Sequence, residues 1–216
     1  MEIKNNHTKF IAFEGIDGSG KSTQIELLAR RMKENNYPVY QTFEPTDGPV
    51  GRLIRDVFAH KIEADHRTIA GLFVADRLHH LLEPENGVLA QMRRGKNIIM
   101  DRYLFSSYAY QGAHTDLEWV IDANAESDRL LRPDLYVFLD ITPEESLERL
   151  KSGRDELELF ETLENLKKVY EMYRIILDRF REEQEILIVD GTLSETEVAG
   201  KIWDAVEKKL SRGERK

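Results

Sequence analysis

The chain has 216 residues, enough for one α/β domain with a sizeable core, and sets 31 Lys+Arg against 40 Asp+Glu for a formal charge of −9. That acidity argues against nucleic acid or an anionic membrane as the main partner, and leaves room for small anions at a locally basic site. There is no cysteine, which excludes a disulfide framework and a thiolate zinc site. Residues 1–9 lack the apolar core of a signal peptide, and no run approaches the roughly 20 apolar residues that span a bilayer. A soluble, cytoplasmic protein is expected.

In chain order, short apolar runs bounded by polar turns predict strands at Phe10–Phe13, Val39–Phe43, Asn97–Met100, Leu135–Leu139 and Ile186–Val189, buried on both faces. Helical spacing fills the gaps between them. Ser22–Asn36 carries Ile25, Leu27, Leu28 and Met32; Asp65–Leu82 and Pro143–Lys151 read likewise. Leu157–Glu183 predicts a long charged helix, and Ser194–Leu210 a closing one. Strands alternating with helices imply a parallel sheet with right-handed crossovers. No repeat, low-complexity tract or linker interrupts the pattern, so residues 1–216 are expected to form a single domain.

The stretch "GIDGSGKST" lies between the first strand and the first helix. Gly15, Gly20, Lys21 and Ser22 fit G-x-x-x-x-G-K-[ST], in the strand–loop–helix setting that this phosphate-binding pattern needs. Its glycines let backbone N–H groups approach an anion, and the helix start adds partial positive charge. Lys21 supplies a compact cation for the terminal phosphates, and the Ser22 hydroxyl can join a Mg²⁺ shell. Gly15, Ile16, Asp17, Gly18, Ser19, Gly20, Lys21, Ser22 and Thr23 are therefore the predicted ATP-binding loop. A phosphate loop alone does not say where the phosphoryl group goes.

Two further stretches bear on the acceptor. "NIIMDRYLFSSYAYQG", residues 97–112, leaves a strand at Asp101 and Arg102, at the carboxyl edge where ligands of open α/β sheets bind. Asp101 can order waters of Mg²⁺, and Arg102 can clamp a phosphate with two donors. In "LFVADRLHH", residues 72–80, Phe73 and Arg77 stand four apart on one helix face. A ring beside a guanidinium can stack a nucleobase and donate to its carbonyls. The bland alternative is a core Phe beside a surface Arg. His79 and His80 have no metal-ligand spacing and read as structural or solvated.

Taken together, "FEGIDGSGKSTQ" (13–24), "FEPTDGPVGRLIR" (43–55), "LFVADR" (72–77), "DRYLFSSYAYQG" (101–112), "RPDLYVFLDI" (132–141) and "RLKSGRDELELFE" (149–161) resemble the thymidylate kinases. The matches are collinear from residue 10 to about 192. The resemblance implies a P-loop NTPase-type α/β fold, with a five-stranded parallel sheet sandwiched by helices and a mobile lid. It implies ATP-dependent, Mg²⁺-assisted phosphorylation of dTMP, and a homodimer.

The resemblance also assigns roles. Asp17 would bind the acceptor's 3′-hydroxyl, Phe73 would stack on thymine, and Arg77 would reach the base or its phosphate. Arg102 would grip the dTMP phosphate, and Ser106 and Ser107 would contact the thymine edge. Tyr110 would lie under the sugar, where it crowds a ribose 2′-hydroxyl, and Gln111 would belong to the same pocket. The lid maps to about 151–158. Position 18 is glycine, so a lid arginine would serve the transferring group, Arg154 first and Arg149 second. Phe160 and Glu161 match the aromatic–acid pair beyond the lid. Three positions depart from the family pattern. Phe43 stands where many relatives have arginine before Glu44-Pro45, with Arg52 and Arg55 close behind. Leu159 replaces a second lid arginine, and Ser107 sits at a variable polar position.

Other pyrimidine nucleotides, or a deoxynucleoside, are the nearest alternative acceptors. A nucleotide-hydrolysing switch is the reading from another class, but the N-K-x-D guanine motif of such switches does not occur in the chain.

Overall fold

The computed structural model describes residues 8–153 and 162–212. Its first elements are β1 (Phe10–Glu14), α1 (Lys21–Glu34), β2 (Val39–Phe43), α2 (Pro49–Phe58), α3 (His66–Leu82) and α4 (Val88–Arg93). Next come β3 (Asn97–Asp101), α5 (Leu104–Gly112), α6 (Leu117–Ala123), α7 (Ala125–Leu130) and β4 (Leu135–Asp140). The described chain closes with α8 (Pro143–Gly153), α9 (Leu163–Phe180), β5 (Ile186–Asp190) and α10 (Glu195–Arg212).

All five predicted strands are present, paired in parallel in the order β2-β3-β1-β4-β5. The pleat sends alternate side chains of a strand to opposite faces. Phe10 and Ala12 of β1, with Tyr136 and Phe138 of β4, enter a core shared with α4, α5 and α9. Ile11 and Phe13, with Leu135, Val137 and Leu139, enter a second core closed by α1 and α10. Helices on both faces explain why the central strands are continuous apolar runs.

Burial on both faces does not extend to the outer strands. β2 and β5 are the sheet edges, and Phe43 and Ile188 are 46% and 55% exposed. The long charged helix also starts later than the charge pattern suggested. Thr162 caps it by accepting from Asn165 N, so α9 runs Leu163–Phe180 rather than 157–183. Lys151–Gly153, predicted as lid, are the last turn of α8. Arg154, the rest of the predicted lid, Leu159, Phe160 and Glu161 lie outside the described residues.

Because every strand runs the same way, the carboxyl ends share one edge. Each ends in, or is followed at once by, an acid: Glu14, Glu44, Asp101, Asp140 and Asp190. Carboxylates gathered this way need cations among them. Lys21, Arg77 and Arg102 stand there. No described helix is long and apolar enough to cross a membrane.

Candidate active site

The loop between β1 and α1 is shaped by close approaches. Gly15 has φ +140°, and a Cβ there would lie 2.8 Å from the Leu139 carbonyl oxygen. Gly18 has φ +72°, and a Cβ there would come 2.9 Å from the Ser146 carbonyl on α8. Neither position accepts an ordinary side chain. Ser146 Oγ donates to Asp17 O at 2.6 Å, so α8 holds the loop from outside. The start of α1 has no side-chain cap and no acid in its first turn, which leaves its N–H groups open to an anion. Ser22 and Thr23 are exposed there, Ile16 is fully buried, and the buried Ser19 Oγ has no hydrogen-bond partner among the described residues.

Lys21 is 6% exposed and donates to Gly15 O and Ile16 O, each at 3.1 Å. Burial pushes its ammonium down to about 8, and Arg102 adds repulsion that Asp101, Asp17 and Glu14 only partly offset. A cation held this far below its usual range gains from an arriving anion.

Arg102 shares an acceptor with Lys21, both donating to Gly15 O at 3.1 Å. Its N–H donates to Phe13 O at 2.9 Å, and then a φ of +67° turns the chain out of β3. For a non-glycine residue this conformation costs on the order of 1–3 kcal/mol and persists because neighbours impose it. Those neighbours are Gly15 O and Ser106 Oγ, both 3.1 Å from Nη1, with Asp17 Oδ1 at 2.5 Å and Tyr110 Oη at 3.1 Å from Nη2. Tyr110 Oη donates to Asp17 Oδ2 at 2.7 Å, and its ring lies under the guanidinium at 4.7 Å. Burial opposes ionisation of Asp17, but Arg102 and then Lys21 outweigh it and hold the carboxyl down at about 2. Asp17 and Arg102 thus neutralise one another, half-buried, at the mouth of the crevice.

Beneath them is a residue the motifs did not reveal. Glu14, fully buried, accepts from Ser106 Oγ at 2.5 Å, Tyr103 N at 3.0 Å and Tyr173 Oη of α9 at 3.1 Å. Burial raises its pKa against the pull of these bonds and of Arg102. Glu14→Gln would present an amide N–H₂ to a shell of donors. It should lower stability by about 1–3 kcal/mol, read as a lower urea midpoint with an unchanged denaturant slope.

Phe73 and Arg77 do share one face of α3. Phe73 is half-buried against Phe58, with centroids 6.1 Å apart. Arg77 is 1% exposed and paired with Glu44 at 2.8 Å. Ser107 Oγ accepts from Arg77 at 2.9 Å, whereas Ser106 belongs to the Arg102–Glu14 side. Gln111 is buried, and its Oε1 has no hydrogen-bond partner among the described residues. His80 is buried between Thr42 and Glu44 and His79 is exposed, as a structural and a solvated histidine. Arg52 and Arg55 donate to Pro45, Thr46 and Asp47, bracing the loop after β2.

Arg149 is on α8, where it donates to Gly191 O at 2.9 Å. It lines a cavity of about 300 Å³ with Gly20, Thr23, Gly191, Leu193 and Val198.

A family model described as thymidylate kinase matches residues 13–202. The chain belongs to the thymidylate kinase family. It is 38% identical to a probable thymidylate kinase of Thermococcus onnurineus over 213 residues, covering 93% of this chain and 98% of that protein. A probable thymidylate kinase of Pyrococcus abyssi is 38% identical over 207 residues, covering 93% and 97%. One of Methanocaldococcus jannaschii is 35% identical over 189 residues, covering 87% and 89%. The thymidylate kinase match spans the phosphate loop, α3, β3, α5 and α8, the elements that carry the candidate site.

Proposed function

We propose that this protein transfers the terminal phosphoryl group of ATP to dTMP, giving dTDP, by direct in-line displacement. Family membership supports the reaction class, and one observation carries the assignment of the site. Lys21, at the open start of α1, and Arg102, in its cluster with Asp17 and Tyr110, donate to the same carbonyl, Gly15 O, each at 3.1 Å, so two cations converge on the phosphate loop.

ATP enters from the side of Arg149 and Gly191, with its phosphates on the loop. The dTMP phosphate takes Arg102, displacing the Asp17 carboxylate, which turns to the sugar's 3′-hydroxyl. Tyr110 stays beneath the sugar, Phe73 stacks on the base, and Ser106 and Ser107 complete the pocket floor. An acceptor phosphate oxygen forms the new bond to phosphorus as the bond to ADP breaks, so no side chain is a covalent carrier. What the protein must overcome is repulsion. Two unit charges 4 Å apart cost about 1 kcal/mol in water but about 4 at an effective dielectric near 20. Lys21, Arg102 and an arginine of the 151–158 segment, Arg154 by sequence, supply the compensating charge.

The residues fit a magnesium ion. Asp101 Oδ1 is buried without a hydrogen-bond partner among the described residues, and the Ser22 hydroxyl is exposed at the start of α1. Bound there, the ion would neutralise the triphosphate and orient its terminal group.

The test is phosphorylation of dTMP, dUMP, UMP and CMP by purified protein with Mg²⁺–ATP. We expect dTMP to give the highest kcat/KM, with UMP and CMP rejected at the 2′-hydroxyl by Tyr110. Preference for UMP or CMP would overturn the placement of Tyr110 and the acceptor assignment with it.

A further inference from the structure

Arg77 offers five N–H donors and no acceptor. Nε donates to Glu44 Oε2 at 2.8 Å, and Nη2 donates to Tyr103 O at 3.2 Å and Ser107 Oγ at 2.9 Å. Nη1 donates to Asn124 Oδ1. Four of the five hydrogens are committed to these acceptors, among the described residues. The uncommitted one is on Nη1, the nitrogen that Asn124 holds.

Asn124 is itself fixed. It sits at the junction of α6 and α7, 1% exposed, and its Nδ2 donates back to Val120 O at 2.9 Å. The backbone carbonyl can only accept and the guanidinium can only donate, so both ends of the amide are determined. Asn124 presents its oxygen to Arg77 in one orientation. Glu44 is equally constrained: it is 4% exposed, and its other oxygen meets His80 Nδ1 at 3.1 Å. Glu44, Asn124 and the start of α5 therefore hold the guanidinium of Arg77 and leave one of its N–H groups uncommitted among the described residues.

We infer that Asn124 is a positioning residue for acceptor selectivity: by fixing Nη1 of Arg77 it makes the base site accept a 4-oxo pyrimidine and reject a 4-amino one. This rests on the reading of Phe73 and Arg77 as the base site. An N–H donor meets the carbonyl of thymine or uracil with a hydrogen bond. Against the amino group of cytosine it meets another donor, and both are left unpaired in a buried place. Rotation of the guanidinium relaxes that opposition. Asn124 prevents it without touching the nucleotide.

The experiment measures kcat/KM for dTMP and dCMP with Mg²⁺–ATP in the wild type, Asn124→Ala, Asn124→Ser, Asn124→Asp and Arg77→Lys. Lysine at 77 keeps the charge opposite buried Glu44 and removes the fork. Asn124→Ala should lower the dTMP-to-dCMP ratio about tenfold or more, chiefly through the acceptor KM, with the ATP KM in place. Asn124→Ser is read the same way if the alanine variant does not fold. Asn124→Asp, which retains an acceptor oxygen, should hold the ratio within about threefold of wild type. If both acceptors weaken in proportion in the alanine and serine variants while Arg77→Lys loses the ratio, Asn124 is a structural strut and the inference fails. A ratio that survives Arg77→Lys overturns the base-site reading itself.

Discussion

Arg102→Ala is expected to abolish turnover while ATP still binds. In the proposed mechanism Arg102 is the cation at the acceptor phosphate, and truncating one partner of a desolvated charge pair costs about 4 kcal/mol, or roughly a thousandfold in kcat/KM. Arg102→Lys should recover only part of this, because a point charge cannot replace the two-nitrogen grip on Gly15 O, Ser106 and Asp17. Steady-state kinetics on dTMP and calorimetric titration with ATP separate the two sites. A variant that loses ATP affinity and keeps its acceptor KM would place Arg102 on the donor side. The same substitution has an acid-stability signature. Asp17 titrates at about 2 in the folded protein, below the unfolded range, so its contribution is present above about pH 4 and lost as pH falls toward 2. Without Arg102 that window should flatten, which acid titration followed by circular dichroism would read.

Much of this was readable before any coordinates. The five strands are bounded apolar runs, and that signal survives because the sheet is covered on both faces. It overstated the edges: no residue of β2 is buried, and in β5 only Val189 is. α5 carries no helical signal in the sequence because all nine of its residues are buried, leaving no polar face to give a 3.6-residue period. α6 and α7 are too short to show one. α2 was within reach: Pro49 opens it, and Val50, Ile54 and Val57 recur at helical spacing.

At the site, the residues proposed to meet a ligand fall within local motifs. Those that hold them do not. Glu14 lies inside "FEG", but its partners Ser106 and Tyr173 are 92 and 159 residues away and become neighbours only through sheet order. Glu44, Arg77 and Asn124 meet across three elements in the same way. One signal was overlooked. An acid at or just past the end of each apolar run marks the edge where buried cations must gather. That pattern explains why an acidic chain can still build a site for two phosphorylated ligands.

Lys21→Met should be nearly inactive and yet slightly more stable. Loss of the ammonium removes a donor aimed at charge that develops during transfer, worth about 10²–10³ in kcat. In the ligand-free protein the same ammonium is a burden, because burial and Arg102 hold it at about 8 against an ordinary lysine value of 10.5. Below pH 8 that displacement corresponds to about 3 kcal/mol of destabilisation. Methionine removes it but forfeits the bonds to Gly15 O and Ile16 O, about 1 kcal/mol each, leaving a net gain of about 1 kcal/mol. At this chain length the gain is a rise of roughly 2–4 °C in Tm near neutral pH. The sign reverses with pH. Between about 8 and 10.5 the unfolded chain binds the proton and the native protein does not, so the wild type gains on the variant. Binding shows the complementary effect, since a triphosphate favours the charged lysine. Near pH 8.5 ATP should bind with proton uptake, measurable by calorimetry in buffers of different ionisation enthalpy, and with none at pH 6.5. Equal thermal midpoints for the two proteins from pH 7 to 10, with no proton uptake, would mean that Lys21 is an ordinary solvated lysine and that the crevice is not organised around it.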